Sequence, residues 1–307
     1  MEITSKLKEP VKTSLIEYFD EERNNYVYLK NETEQWTGAF KYRGVYNKIK
    51  STDISNYNGL VTASTGNHGQ AVSLSCYQMK FPCTIVLPIN TPKNKVDKIR
   101  GYNATIFQDK AIVTYDDAVI YAKNYAVNNN YLYIPSFDDY DIIKGHKTMF
   151  VEATENHSFD YCFCQIGGGG LFSACLTSDC LKDTKIIGIE MENQDPMNVS
   201  LNNKKKTLVE LCENEESFCE GILVKEIGDI PFKIATEKNA KISVVSEKNV
   251  KKAIKILNSL GIFAEGAGAS GFAGYLNSDI KNSKVLCIIS GKNIEESIIN
   301  KILNDEI

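Results

Sequence analysis

The feature that most constrains the fold is an alternation of short apolar runs with longer segments of helical period. The apolar runs at residues 59–63, 84–87 and 131–134 predict strands, and the segment 115–127 predicts a helix. Strands that alternate with helices of 10 to 15 residues indicate parallel βαβ units. The expected fold class is therefore α/β, with two open, doubly wound sheet lobes.

Composition excludes several classes of protein. The chain has 307 residues, of which 43% are hydrophobic and 24% charged, and its net charge is -4. These values are typical of a soluble globular protein and give no sign of a nucleic-acid surface. No apolar segment reaches the length of a signal peptide or a membrane span, so we expect a cytoplasmic protein without membrane partners.

The nine cysteines lack Cys-x-x-Cys pairs. Cys162 and Cys164 lie two residues apart on a predicted strand and should face the same side of its sheet. Because no matching second pair exists, reduced core thiols are favoured over a disulfide or a metal site.

One lysine has unusually apolar neighbours. Lys41 follows Ala39 and Phe40 and precedes Val45 and Tyr46, near the first turn of a predicted helix. Burial favours the neutral amine and would make Lys41 a nucleophile toward carbonyl groups. The alternative is a surface lysine on an amphipathic helix, and this segment alone does not decide between the two.

A run of four glycines separates a predicted strand from a predicted helix. Gly167, Gly168, Gly169 and Gly170 would let backbone N–H groups approach an anion closely. The run has neither the lysine of a nucleotide-phosphate loop nor the acidic residue of a dinucleotide site. A phosphate is therefore the expected ligand, with a flexible turn as the alternative.

Two further junctions carry polar groups. The turn formed by Ser64, Thr65, Gly66, Asn67 and His68 is rich in donors suited to a carboxylate or phosphoryl oxygen. No Asp or Cys nearby marks a catalytic triad, so His68 is interpreted as structural or as a backbone donor.

Ser290 ends the last predicted strand, and open α/β sheets bind ligands at such strand ends. A helix cap for the last helix is an equally good interpretation of this serine. Glu265 precedes a glycine-rich turn and is either a buried site residue or a capping carboxylate.

A lysine, a phosphate loop, a second donor loop and a strand-end serine together match pyridoxal 5′-phosphate, which carries an aldehyde, a phosphate, a phenolic oxygen and a ring nitrogen. The motifs around these residues, with 141–145 and 264–269, resemble the fold type II pyridoxal-phosphate enzymes, specifically the threonine and serine dehydratases and serine racemases. The resemblance covers nearly the whole chain. It implies a tryptophan synthase β-like fold and favours a homodimer.

The resemblance also implies a domain division and residue roles. Residues 1–50 and 138–307 would form a large cofactor-binding domain, and residues 51–137 a small mobile domain. Lys41 would form the Schiff base and Phe40 would pack against the cofactor ring. Asn67 would bind the phenolic oxygen, Ser290 the ring nitrogen and the four glycines the phosphate, with Glu265 beside the cofactor. The loop from Ser64 to His68 would bind the substrate carboxylate.

The chain departs from the family pattern at two places that affect function. Thr65 stands where dehydratases commonly have alanine and racemases a serine that acts as an acid, so its hydroxyl leaves racemisation open. Glu190 matches a glutamate that often binds a divalent cation, but Pro196 replaces the partner aspartate, and only the adjacent Asp195 remains to substitute for it. We therefore expect no metal.

The leading hypothesis is an ammonia-lyase that acts on L-threonine or L-serine, a small amino-acid substrate. A racemase or a β-replacement enzyme of the same fold is the main alternative. A non-catalytic amino-acid sensor is disfavoured, because such a protein would lack the lysine or the phosphate loop, and both are present.

Overall fold

The computed structural model describes residues 3–210 and 217–307. In chain order the strands are β1 (Leu15–Asp20), β2 (Asn25–Asn31), β3 (Gly59–Ala63), β4 (Cys83–Val86), β5 (Thr105–Phe107), β6 (Tyr131–Tyr133), β7 (Tyr161–Gln165), β8 (Lys185–Met191), β9 (Lys241–Val245) and β10 (Lys284–Ile289). The helices are α1 (Lys41–Ser51), α2 (Asn67–Met79), α3 (Lys93–Arg100), α4 (Tyr115–Asn129), α5 (Tyr140–His146), α6 (Thr148–Thr154), α7 (Gly170–Leu176), α8 (Pro196–Asn203), α9 (Asp229–Glu237), α10 (Glu247–Ser259), α11 (Gly266–Leu276) and α12 (Glu296–Leu303).

The chain divides into two compact units. The first comprises Met1–Val11 and Lys41–Gly145, and the second comprises Lys12–Phe40 and His146–Ile307. The division implied by the family resemblance instead assigned residues 1–11, 41–50 and 138–145 to the large domain. Helix α1 packs against α2 in the structure. This contact groups α1 with the first unit.

The first unit contains a four-stranded parallel sheet in the order β5-β4-β3-β6. Successive residues of a strand point to opposite faces of the sheet. Accordingly, Leu60 joins the core formed with α1, α2 and α3, while its neighbour Val61 joins the core formed with α4. Both faces are covered, which explains why strand β3 is buried along its whole length and mostly apolar.

The second unit contains a six-stranded sheet in the order β1-β2-β10-β7-β8-β9. Strand β1 is antiparallel to β2 and the remaining pairs are parallel. Helix α11 lies close against this sheet because Gly271 and Gly274 have no Cβ atom that would hold the helix away from it. A Cβ on Gly274 would lie 2.3 Å from Ile189, and one on Gly271 would lie 3.2 Å from the backbone oxygen of Phe163.

The predicted fold class is confirmed, and the errors concern individual elements. The strands β1 and β9 were not predicted. The sequence pattern predicts one helix over 142–155, whereas the structure has two helices, α5 and α6, separated at Lys147. It also predicts a helix from the four glycines to about Leu181, but α7 ends at Leu176. Residues 192–242 have no regular pattern and predict no element; this stretch contains α8 and α9, and its residues 211–216 lie outside the described part of the chain.

Two observations concern the predictions about membrane segments and cysteines. Within the described residues, no helix combines the length and apolar character needed to cross a membrane. Eight cysteines are described, all are free thiols, and only Cys180 is exposed. The sulfur atoms of Cys162 and Cys175 lie 3.5 Å apart in the core of the second unit.

Candidate active site

Lys41 is the first residue of α1 and is partly buried. Its Nζ donates a hydrogen bond to the backbone oxygen of Ser136, at 2.8 Å. Burial lowers the pKa of the Lys41 amine to about 8, because desolvation penalises the charged form. A surface lysine would not show this combination, so the structure favours the nucleophile interpretation.

The end of β6 fixes the environment of this amine. The carbonyl of Ile134 accepts hydrogen bonds from the Thr62 hydroxyl, at 2.7 Å, and from the Nε2 of His68, at 3.1 Å. Because a carbonyl only accepts, Nε2 of His68 carries the proton. Desolvation and the nearby Lys41 lower the pKa of His68 to about 3, so the ring is neutral. His68 is therefore a buried donor, in agreement with its structural interpretation.

The donor loop joins β3 to α2, with Asn67 as the first helical residue. Ser64 is buried, and its hydroxyl accepts a hydrogen bond from the Gly66 amide, at 3.2 Å. Thr65, Gly66 and Asn67 are partly exposed. A Cβ built on Gly66 meets no described atom within 4 Å. The loop thus borders open space into which polar groups can project.

The four glycines join β7 to α7. Gly169 has φ +94°, and a Cβ there would lie 2.5 Å from Pro231, so only glycine fits. The carbonyls of Gly168 and Gly169 accept bonds from Gly228 and Ser173. By contrast, the amides of residues 167–169 donate no hydrogen bond to any described residue. Such a row of unused donors is suited to a phosphate group.

Ser290 and Phe40 meet beside the end of β10. The Phe40 amide donates to the Ser290 backbone oxygen, at 2.9 Å, and the Phe40 ring packs on His146, with centroids 4.7 Å apart. The Ser290 side chain is buried, and its hydroxyl forms no hydrogen bond within the described chain. Because the last helix begins only at Glu296, Ser290 does not cap it. The hydroxyl is therefore available to a ligand such as a pyridine nitrogen.

Glu265 lies next to this strand end. Its amide donates to the Gly291 carbonyl, at 3.0 Å, and its side chain makes no capping hydrogen bond to α11. A Cβ on Gly268 would lie 2.2 Å from the Gly291 oxygen, so the two backbones touch. Gly221 packs against Ala267 and Glu265, while Gly167 lies against Gly221 and Ile222. These contacts bring Glu265, Ser290 and the glycine loop into one contiguous region of the second unit.

Glu190, which the family resemblance matches to a cation ligand, contacts the start of α8. Its two carboxylate oxygens accept the backbone amides of Met197 and Asn198, each at 2.9 Å, at the start of α8. Burial raises the pKa of Glu190 to about 8. Across the described ranges, no group of three His, Cys, Asp or Glu side chains is arranged to hold a metal ion. Glu190, from β8, therefore accepts two first-turn amides of α8, whose N-cap residue is Asp195.

Sequence reasoning missed two residues near Lys41. Ser136 supplies the carbonyl that accepts the Lys41 amine, and Tyr115 places its hydroxyl 3.2 Å from that of Ser136. The only available signal was position, because Ser136 follows β6 on the edge of the sheet where parallel strands end and ligands bind.

The sequence of this chain is similar to one family of enzymes and to several of its known members. Residues 9–291 match the family described as pyridoxal-phosphate dependent enzymes. The chain is 34% identical to the L-threonine ammonia-lyase of Thermotoga maritima, over 91% of this chain and 70% of that protein. It is 35% identical to the biosynthetic L-threonine dehydratase IlvA of Halalkalibacterium halodurans, over 87% of this chain and 66% of that protein.

Solved structures agree with these matches. The processed threonine deaminase isoform 2 of Solanum lycopersicum superposes with a TM-score of 0.87 at 28% identity, covering 96% of this chain and 83% of that one. The serine racemase of Dictyostelium discoideum gives a TM-score of 0.81 at 30% identity, covering 93% of this chain and 94% of that one. The chain therefore belongs to the family of pyridoxal-phosphate dependent enzymes, and the family, fold class and cofactor expected from its motifs are confirmed.

Proposed function

We propose that this protein is a pyridoxal-phosphate dependent ammonia-lyase that converts L-threonine, L-serine or both to a 2-oxo acid and ammonium by β-elimination. The observation that carries the proposal is the Lys41 amine, which is partly buried, has a pKa of about 8 and lies 2.8 Å from a backbone carbonyl. The similarity to L-threonine ammonia-lyase and dehydratase supports the same reaction class.

The residues of the second unit fit the cofactor. The unused amides of residues 167–169 match a phosphate, and the unused Ser290 hydroxyl matches a ring nitrogen. Phe40 supplies an aromatic face beside Ser290, and Glu265 lies next to the same strand end. When bound, pyridoxal phosphate supplies an aldehyde that links to amines and a ring that withdraws electrons from the substrate Cα.

The residues of the first unit would act on the substrate. An amine with a pKa of about 8 is partly neutral near physiological pH, so Lys41 can remove the Cα proton as a general base. The Ser136 carbonyl holds this amine in a defined position. The turn from Ser64 to His68 would bind the substrate carboxylate, and Asn67 would bind the phenolic oxygen of the cofactor.

Amino-acid racemisation is the second candidate function. Thr65 carries a hydroxyl in a partly exposed position of the donor loop, and the chain resembles a serine racemase over 93% of its length. An acid on the opposite face of the substrate from Lys41 would return a proton to Cα. The added methyl group of threonine restricts the rotamers of this hydroxyl, which favours elimination.

The test is incubation of the purified holoenzyme with L-threonine and L-serine, with separate assays for 2-oxo acid and D-isomer. We expect 2-oxo acid as the main product. Lys41→Ala should abolish its release together with the visible absorbance of the cofactor linked to the protein. Turnover that survives Lys41→Ala would contradict the proposal, and D-isomer as the main product would replace elimination with racemisation.

A homodimer in the cytoplasm is also proposed, on the family resemblance alone. Sedimentation analysis of the holoenzyme measures the first property, and fractionation of cells that produce the protein measures the second.

A further inference from the structure

Ser136, in the first unit, makes two contacts, one through its backbone carbonyl and one through its side-chain hydroxyl. Its carbonyl accepts the hydrogen bond from Lys41 Nζ, at 2.8 Å, and its hydroxyl lies 3.2 Å from the hydroxyl of Tyr115. Ser136 comes three residues after the end of β6. Ser136 therefore lies outside the hydrogen-bonded part of the strand, and its contact with Tyr115 is one that can position it.

Tyr115 is well suited to hold such a segment. It is the first residue of α4, directly after Thr114, which forms a capping box with Asp117. The Asp117 amide donates to the Thr114 hydroxyl, at 3.1 Å, and the Thr114 amide donates to the Asp117 carboxylate, at 2.8 Å. A capping box satisfies two helix-terminal donors and fixes the backbone at the helix start. Desolvation raises the pKa of Tyr115, so its phenol remains protonated.

We propose that Tyr115 is a positioning residue of the lysine site: its hydroxyl holds Ser136 so that the Ser136 carbonyl accepts a hydrogen bond from the Lys41 amine. The inference deepens the proposed function and rests on it only for the effect on turnover. The effect on the amine itself does not require that function.

The electrostatic consequence has a definite sign. A hydrogen bond to a carbonyl favours the charged ammonium, whereas burial favours the neutral amine. In the first unit, His68 from α2 interacts electrostatically with Lys41, and Tyr115 from α4 contacts the hydroxyl of Ser136; the His68 ring and the Tyr115 phenol are both uncharged near neutral pH. Loss of the Tyr115 hydroxyl loosens the carbonyl, so the pKa of Lys41 should fall further.

The experiment measures the protonation of Lys41 without turnover. Cofactor-free protein is labelled with acetic anhydride across a range of pH, and the Lys41 peptide is quantified by mass spectrometry. In Tyr115→Phe the midpoint of labelling should fall by roughly 0.3 to 1 pH unit relative to wild type. The matched control is Tyr121→Phe, which removes a hydroxyl from the same helix, where the ring stacks on Phe107. Its midpoint should not move.

Two further measurements connect this shift to Ser136. Ser136→Ala should lower the midpoint by a similar amount, and the double variant should add little, because both changes remove one contact. In the holoenzyme, Tyr115→Phe should lower kcat by about three- to tenfold with KM changed less than twofold, and should move the acidic limb of the kcat profile to lower pH.

The proposal is overturned if the labelling midpoint of Tyr115→Phe equals that of wild type, or if Tyr121→Phe shifts it equally. Additive shifts of Tyr115→Phe and Ser136→Ala would also overturn it. If wild-type protein releases no 2-oxo acid, the proposed function fails, while the labelling result still decides the role of Tyr115.

Discussion

The two ligand loops of this protein occupy equivalent places in their sheets and use different chemistry. The loop after β3, in the first unit, carries hydroxyl and amide side chains and borders open space at Gly66. The loop after β7, in the second unit, offers only backbone amides and is tightly enclosed, with Gly169 against Pro231. If the proposed roles hold, the difference means that a cofactor phosphate can be bound by backbone amides alone, whereas the substrate is bound with the help of side chains. Substitutions in the second loop should therefore affect cofactor retention, and changes in the first unit should affect turnover.

Gly169→Ala should cause the largest loss of cofactor affinity among these variants. The residue has φ +94°, and the new methyl group would lie 2.5 Å from Pro231, so the loop must move. We expect the cofactor affinity to fall by about tenfold or more, because left-handed backbone costs a non-glycine residue about 1 kcal/mol or more even without the clash. Equilibrium dialysis with pyridoxal phosphate measures this change.

The control for that variant lies in the other loop. Gly66 has φ -129°, and an added Cβ meets nothing within 4 Å in the described structure. Gly66→Ala should leave cofactor affinity within about threefold of wild type. Equal losses in the two glycine variants would remove the distinction between the loops.

The pH dependence of the rate of cofactor binding should reflect the protonation of Lys41 in the first unit. In the proposed site, the Lys41 amine would react with the cofactor aldehyde only when neutral, and its pKa is about 8 where an ordinary lysine has about 10.5. The rate at which cofactor-free protein regains visible absorbance should therefore rise about tenfold per pH unit below pH 8 and level off above it. Stopped-flow absorbance measures this rate, and a continued rise to pH 10 would contradict burial of the amine.

Ser290→Ala, in the second unit, should cause a smaller loss of cofactor affinity than Gly169→Ala. It removes one buried hydroxyl that is otherwise unused in the described chain. A single neutral hydrogen bond contributes about 0.5 to 1.5 kcal/mol, so cofactor affinity should fall about two- to tenfold. Ser283→Ala, at the half-buried residue directly before β10, is the control and should bind the cofactor like wild type. A loss of cofactor below twofold would exclude contact between Ser290 and the ring.

Glu190→Ala should affect stability and leave the chemistry almost unchanged. The carboxylate caps the first turn of α8 through Met197 and Asn198. Loss of a helix cap costs about 1 kcal/mol, which urea denaturation detects. EDTA should not alter turnover of wild-type enzyme, since the helix amides already occupy both oxygens. A requirement for a divalent cation that disappears in Glu190→Ala would show that Glu190 binds metal.

The sequence was informative wherever a residue type has few physical uses. Four glycines after a strand and a lysine among apolar neighbours each left an alternative open, but combined with the donor loop and Ser290 they matched a single cofactor, so the fold class and cofactor were predictable. Ser136 and Tyr115 were not, because serine and tyrosine are common in loops and helices and only tertiary geometry brings them to Lys41. Strand β1 was missed because it is an edge strand whose polar residues Glu17 and Asp20 weaken the apolar alternation.

The pairing of β2 with β10 has a consequence for how the protein is made. Tyr26 lies beside Lys284, so an early strand of the second unit must wait for one of the last strands before its central pairing forms. During synthesis β2 therefore leaves the ribosome with an open hydrogen-bonding edge, while most of its sheet has not yet been translated. Long-range pairing of this kind slows folding and prolongs exposure of such edges. Nascent chains that stall before β10 are expected to be substrates for chaperones and proteases, whatever the quality of the active-site residues they already carry.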